Sequence, residues 1–288
     1  MPALAARIEK TLGARVLSCT PIGGGAGGSV VRIVLADGAA LVAKHAPDAV
    51  GDGLLLEARS LATLRERSGL PVPGVRHAER DFLVMEHVPG AASLDARAEA
   101  HAAELLAALH DVHSPDGRFG LHHDALIGPL HQPNAPCGSW VEFWRDRRLL
   151  PFAHDAARAG VMRSDLLRRV EALCGRLAGM IPDRPGASLI HGDVWSGNVL
   201  AHAGRVTAFL DPAPYFAHHE AELAFIEMFF TFGTPFSERY AELREPPDRS
   251  YRELRRHVYM LYPVLVHVRL FGGGYIGQAH HLLDMLGC

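Results

Sequence analysis

The sequence predicts an α+β chain in two lobes, a small β-rich N-terminal lobe and a larger, mainly helical C-terminal one. Three observations carry this expectation. Residues 16–45 read as strand, glycine loop, strand, turn and strand, whereas from residue 93 onward most apolar residues recur at helical spacing. Between the helical runs lies Leu189–Ala213, where two short apolar stretches end in tight turns holding Asp193, Asn198 and Asp211. At 288 residues the chain is longer than the roughly 100–200 of a typical domain, which favours two units. The boundary is expected just before Pro89-Gly90, giving residues 1–88 and 89–288.

In chain order, residues 3–13 predict a short amphipathic helix through Leu4, Ile8 and Leu12, stopped by Gly13. Val16–Ile22 runs into the loop of Gly23, Gly24, Gly25, Ala26, Gly27 and Gly28, and Ser29–Leu35 leads through an Asp37-Gly38 hairpin turn to Ala39–His45. In isolation a glycine run reads as a flexible hairpin. Lys44 changes that reading, because Leu-Val-Ala-Lys sets the cation among apolar residues where an edge-strand lysine has polar neighbours. The next segment, 54–67, predicts a helix with Leu54, Ala58, Leu61 and Leu64 on one face. Glu57 near its start either complements the helix dipole or reaches back to Lys44. The pairing is favoured, since the ammonium otherwise sits uncompensated in a partly dry cleft. After the extended Pro71-Val72-Pro73, Phe82–Met85 predicts a buried strand leading into Glu86-His87-Val88.

Ser93 is expected to cap a helix to His110, and residues 111–138, rich in His, Pro, Gly and Asn, are expected to form a long loop. Its histidines, with His110, lack the spacing of a metal cluster. Helices follow at Trp140–Leu149 and Asp165–Met180, the second with Leu166, Val170, Leu173 and Leu177 aligned, and again from Glu220 on, with a bend at Pro263. A formal charge of −3 predicts no strong attraction to nucleic acid or to a membrane surface. The early charges and the lack of a membrane-length apolar run imply a cytoplasmic protein, and four cysteines without a Cys-x-x-Cys pair imply reduced thiols.

Phosphoryl transfer from ATP needs an orienter or base for the incoming hydroxyl, oxygen ligands for Mg²⁺, and positive charge on the phosphates. Asp193 stands five positions before Asn198, the interval of a kinase catalytic loop. Asp211 closes the strand Val206–Leu210, which suits a Mg²⁺ ligand. His191 is read as a structural imidazole that shapes the turn. A lone His-Gly-Asp is a weak signal, but the ordered set of glycine loop, Lys44, Glu57, Asp193, Asn198 and Asp211 is specific. Trp195 has two readings, a platform for the C–H face of a sugar or a core tryptophan beneath the loop.

With these residues in place, the sequence resembles the fructosamine kinases, or ketosamine 3-kinases, within the protein-kinase-like fold. The likeness lies in His191-Gly-Asp-Val-Trp-Ser-Gly-Asn198, Asp211-Pro-Ala213, Tyr215–Ala224, Ile127–Asn134 with Trp140–Phe143, and Phe271-Gly-Gly-Gly-Tyr275. Trp195 separates this pattern from aminoglycoside and choline kinases. The resemblance implies a kinase that uses ATP and Mg²⁺ to phosphorylate O3 of a ketosamine, small or protein-bound. It implies Asp193 as base, Asn198 and Asp211 as metal ligands, and Gly23, Gly24, Gly25, Lys44 and Glu57 on ATP. By analogy with kinase hinges, the Glu86 carbonyl and Val88 amide are expected at the adenine edge. Trp195, Gln132, Asn134 and His218 are assigned to the substrate side. Two positions depart from the family pattern: the glycine loop is richer in glycine, and Ala217 stands where glycine is expected. Rival readings are a kinase for an aminoglycoside, choline or homoserine, and a non-catalytic nucleotide-binding scaffold. Oligomeric state is left open.

Overall fold

The computed structural model describes residues 2–23, 28–47 and 51–288. Helix α1 (Pro2–Leu12) is followed by strands β1 (Val16–Gly23), β2 (Ser29–Leu35) and β3 (Ala40–His45), helix α2 (Gly53–Arg67), and strands β4 (Val75–Glu79) and β5 (Phe82–Glu86). The strands form one antiparallel sheet in the order β1-β2-β3-β5-β4. Successive side chains on a strand point to opposite faces, and this sheet is covered on both. Val31, Ile33, Ala43, Phe82 and Val84 pack with Leu4 and Ile8 of α1 in a small core, whereas Leu83 and Met85 join Ala58, Leu61 and Leu64 of α2 in the large core. Burial on both faces explains why Phe82–Met85 reads as an unbroken apolar run rather than an alternating one. Lys44, paired in register with Leu83, lies on the α2 side of the sheet.

Helix α3 (Ala96–His110) begins later than expected. Asp95, not Ser93, is its cap: the carboxylate accepts from the Ala98 amide at 2.8 Å. Asp95→Ala is expected to lower stability by about 1 kcal/mol, read by denaturant titration. The segment 111–138 is not one long loop, for it contains a hairpin, β6 (Ala125–Ile127) and β7 (Leu130–Gln132), turning at Gly128-Pro129. Strands of three residues are too short to show a period.

Helix α4 (Trp140–Phe143) passes through a π turn (Trp144–Leu149) directly into α5 (Leu150–Arg158), so the expected helix runs on by two turns or more. Pro151 has no N–H for the Arg147 carbonyl four residues back, and the Arg148 guanidinium takes that carbonyl instead at 2.9 Å. Helix α6 (Ser164–Cys174) buries Leu166, Val170 and Leu173 as its period predicts, and ends earlier than expected before a 3₁₀ turn. Then come β8 (Ser188–Ile190), β9 (Val199–His202), β10 (Arg205–Phe209) and β11 (Tyr215–Ala217), in the antiparallel pairs β8-β11 and β9-β10. Helices α7 (Glu220–Met228), α8 (Thr234–Leu243), α9 (Arg256–Phe271) and α10 (Gly274–Met285) complete the chain. A π turn at Tyr251–Arg255 feeds α9, which runs unbroken through Pro263. No helix among the described residues is long and apolar enough to cross a membrane.

Candidate active site

Strand β8 delivers His191, Gly192 and Asp193 into the space between the sheet and the helices. The turn depends on Gly192, whose φ is +87°; a β-carbon there would lie 2.1 Å from the Ala213 carbonyl. The Ala213 amide donates to the His191 carbonyl at 2.9 Å, so the loops carrying Asp193 and Asp211 are stitched together. Asn198, at the end of a 3₁₀ turn, donates its side-chain amide to the Asp193 carboxylate and carbonyl, both at 3.0 Å. The Leu210 amide donates to the Asn198 carbonyl at 2.8 Å, and Asp211 follows with φ +50°, a left-handed backbone that a non-glycine residue adopts at a cost.

Asp211 meets Lys44 at 2.6 Å, and the same ammonium reaches Glu57 of α2 at 2.7 Å. Glu57 lies just past the first turn of α2, so it braces Lys44 rather than the helix dipole. Burial works against the charge on Lys44, but the two carboxylates outweigh it and hold the ammonium above its usual pKa. Burial, reinforced by Asp211 and opposed by the Asn198 hydrogen bond, pushes the Asp193 carboxyl up to about 7. Buried His191 falls to about 4, and its Nδ1 faces the Asp193 amide at 3.3 Å.

Lys44, Glu57, Asp193, Trp195, Asn198 and Asp211 all line one cleft of ≈ 570 Å³, with Gly28–Val30 above them. Of the expected glycine loop, Gly23 ends β1, while Gly24 and Gly25 lie outside the described residues. Trp195 is 44% exposed and its indole lies over Gly197, where a β-carbon would come within 2.2 Å of the ring. The core reading of Trp195 therefore gives way to the cleft-facing one. Asn198 gives its amide nitrogen to Asp193, which leaves its carbonyl oxygen, with the half-exposed Asp211 carboxylate, as hard oxygen donors suited to Mg²⁺.

Five further sequence-predicted residues are not among those that line this cleft. Glu86 and Val88, at and beyond the end of β5, are not among the cleft-lining residues, and the Glu86 carboxylate is held by the Gly74 amide and Arg76. Gln132, Asn134 and His218 are buried and are not among the cleft-lining residues. Gln132 and Asn134 are fully buried and their side-chain amides donate to the Ala213 and Pro214 carbonyls. Arg148 donates to the Asn134 side-chain oxygen at 2.7 Å, with its guanidinium 3.8 Å from the Tyr215 ring centre. These residues brace the loop behind Asp211. His218 sits with Tyr259 at 3.0 Å, and burial lowers its pKa to about 3.

One positioning group was missed. Glu222 of α7, fully buried, accepts the Gly192 amide at 2.6 Å and pairs with His110 of α3 at 2.9 Å; His110 in turn meets the Tyr240 hydroxyl at 2.7 Å. Burial opposes its charge, but His110 and the Gly192 amide outweigh this and lower its pKa. The signal was an acid inside the strongly apolar run from Ala221 to Phe232.

A two-faced antiparallel sheet whose Lys44 pairs with Glu57 of α2, above loops that present Asp, Asn and a second Asp, defines a protein-kinase-like phosphotransferase. Within that class the fructosamine kinase family model matches residues 2–287, and the chain belongs to the fructosamine kinase family. A solved structure from Thermobifida fusca YX-ER1, assigned to the fructosamine-3-kinases, is 32% identical, with a TM-score of 0.87 over 100% of both chains. A Synechocystis protein assigned as a ketoamine kinase is 36% identical over 62% of this chain and 58% of its own length. The chloroplastic protein-ribulosamine 3-kinase of Arabidopsis thaliana is 29% identical over 79% of this chain and 70% of its own.

Proposed function

We propose that this protein transfers the γ-phosphoryl group of ATP to O3 of a ketosamine, such as a ribulosamine or fructosamine, carried on a small amine or on a protein. The observation that carries the reading is the cleft in which Lys44, Asp193, Asn198 and Asp211 converge beside an exposed tryptophan. The names of the family and of the relatives supply the acceptor class.

In this reading residues 1–88 form the lobe that holds ATP and residues 89–288 the lobe that holds the acceptor. Lys44, fixed by Glu57, contacts the phosphates; Gly23 to Gly25 cover them; Glu86 and Val88 meet the adenine edge. Asn198 and Asp211 hold Mg²⁺, which neutralises charge on the phosphates when bound. Asp193 accepts a hydrogen bond from the acceptor hydroxyl and takes its proton as the phosphoryl group leaves ADP. With a carboxyl near 7 it is matched to proton transfer close to neutral pH. Trp195 stacks on the sugar.

Among the described residues the carboxylates lining the cleft are Glu57, Asp193 and Asp211, all committed to the phosphate and transfer side, so these residues leave no acidic cluster there to receive a polycationic aminoglycoside. The test is ADP release with Mg-ATP across a panel of ribulosamines, fructosamines and aminoglycosides. Turnover confined to the ketosamines is expected, and turnover confined to aminoglycosides would overturn the reading. Trp195→Ala is expected to raise the acceptor KM by about tenfold or more while the ATP KM stays within about twofold; equal increases in both would remove the indole from the sugar site.

A further inference from the structure

Where the end of α9 meets the Gly128-Pro129 wall of the cleft stands an aromatic cluster that the transfer chemistry does not use. Helix α9 ends at Phe271, and Gly272 and Gly273, with φ of +60° and +52°, turn the chain sharply into α10. The turn brings Tyr275 back beside α9. His267 stands at the centre, its ring 5.1 Å from Phe229, 5.5 Å from Phe271 and 4.7 Å from Tyr275. Its Nδ1 donates to the Pro263 carbonyl at 2.8 Å, and burial lowers its pKa, so the cluster is uncharged at neutral pH. Phe271 is 67% exposed, so most of a large apolar side chain is open to solvent.

Two contacts tie the chain beside the cluster to the two sides of the cleft. Leu270, next to Phe271, lies 3.7 Å from where a β-carbon on Gly128 would stand, and Gly128 and Pro129 line the cleft. On the other side Thr231, two residues beyond Phe229, donates its hydroxyl to the carbonyl of Val194, between Asp193 and Trp195, at 2.9 Å.

We propose that the Phe229–His267–Phe271–Tyr275 cluster binds the amine-bearing part of the acceptor, and that it favours ketosamines whose nitrogen carries an aromatic or long apolar chain over those of small amines. This rests on the ketosamine reading above. When O3 of such an acceptor faces Asp193, only three carbons separate it from the nitrogen, so whatever the nitrogen carries must leave the cleft close to the catalytic loop. An uncharged aromatic surface there suits a protonated secondary amine, which is drawn to ring faces, and a chain that gains from leaving water. It does not suit a carboxylate or phosphate.

The experiment compares the ribulose adducts of methylamine and benzylamine as acceptors at saturating Mg-ATP, with the wild type and Phe271→Ala. The wild type is expected to show about tenfold higher kcat/KM for the benzylamine adduct, arising in KM, and Phe271→Ala to reduce that preference to about threefold or less. The ATP KM serves as the control and stays unchanged, which also shows that the variant is folded. Equal kcat/KM for the two adducts in the wild type, or a preference that survives Phe271→Ala, overturns the subsite. Turnover of neither adduct is a different failure, which removes the ketosamine reading and the subsite with it.

Discussion

Asp193→Asn is expected to lower kcat by about 10²- to 10⁴-fold, the usual worth of a positioned general base, while nucleotide affinity stays within about threefold. Asparagine keeps the shape of the side chain and an oxygen for the Asn198 amide, so the loss isolates the proton-accepting role. The same substitution is expected to stabilise the protein when neither metal nor nucleotide is bound. Burial and the Asp211 carboxylate raise the Asp193 carboxyl from an ordinary 3.8 to about 7. Between those values the folded protein holds a proton that the unfolded chain has shed, so this residue's contribution to stability falls as pH rises from about 4 to about 7. Asparagine has no such dependence. Its melting temperature is therefore expected to exceed that of the wild type at pH 8, with the gap closing toward pH 4. Retained turnover, or a lower melting temperature at pH 8, would remove Asp193 from the role of a buried base.

The residues that converge in the cleft were legible because phosphoryl transfer constrains them in two ways that a sequence displays. Asp193 and Asn198 share one turn and so keep a fixed interval, while Lys44 and Asp211 each stand at the end of a short apolar strand. The sheet was legible from alternation and turn residues, except for β4, whose Val-Arg-His-Ala-Glu lacks an apolar face because it lies at the sheet edge. The hairpin of β6 and β7 and the π turn after α4 were not legible, since three-residue strands show no period and a π turn depends on which donor replaces the one Pro151 lacks. Gln132 and Asn134 show a related ambiguity. A polar residue near a site can touch substrate or brace the backbone that does, and only burial and bonding partners decide.

The same ambiguity makes Glu222 the most informative stability test. Its carboxylate joins two elements distant in sequence, the His110 ring on α3 and the Gly192 amide beside Asp193, in a site with no solvent. Glu222→Ala leaves both donors buried without a partner, and each unsatisfied buried donor costs about 1–3 kcal/mol. That is a large share of the roughly 5–15 kcal/mol that holds a typical domain folded. Glu222→Gln separates charge from shape. Its oxygen can still accept from Gly192, and its NH₂ can donate to His110 once that ring exchanges tautomers and donates from Nδ1 to the Tyr240 oxygen. The expected cost is then about 1.5–3 kcal/mol, the worth of a hydrogen bond to a charged group. Because the Glu222 charge is one of the groups that raise the Asp193 carboxyl, its neutralisation is also expected to move the alkaline-rising limb of kcat to lower pH. Denaturant titration of both variants, with pH profiles of kcat for Glu222→Gln, checks the two effects separately. Wild-type stability in Glu222→Ala would show that the catalytic loop keeps its turn through Gly192 and the Ala213 amide alone.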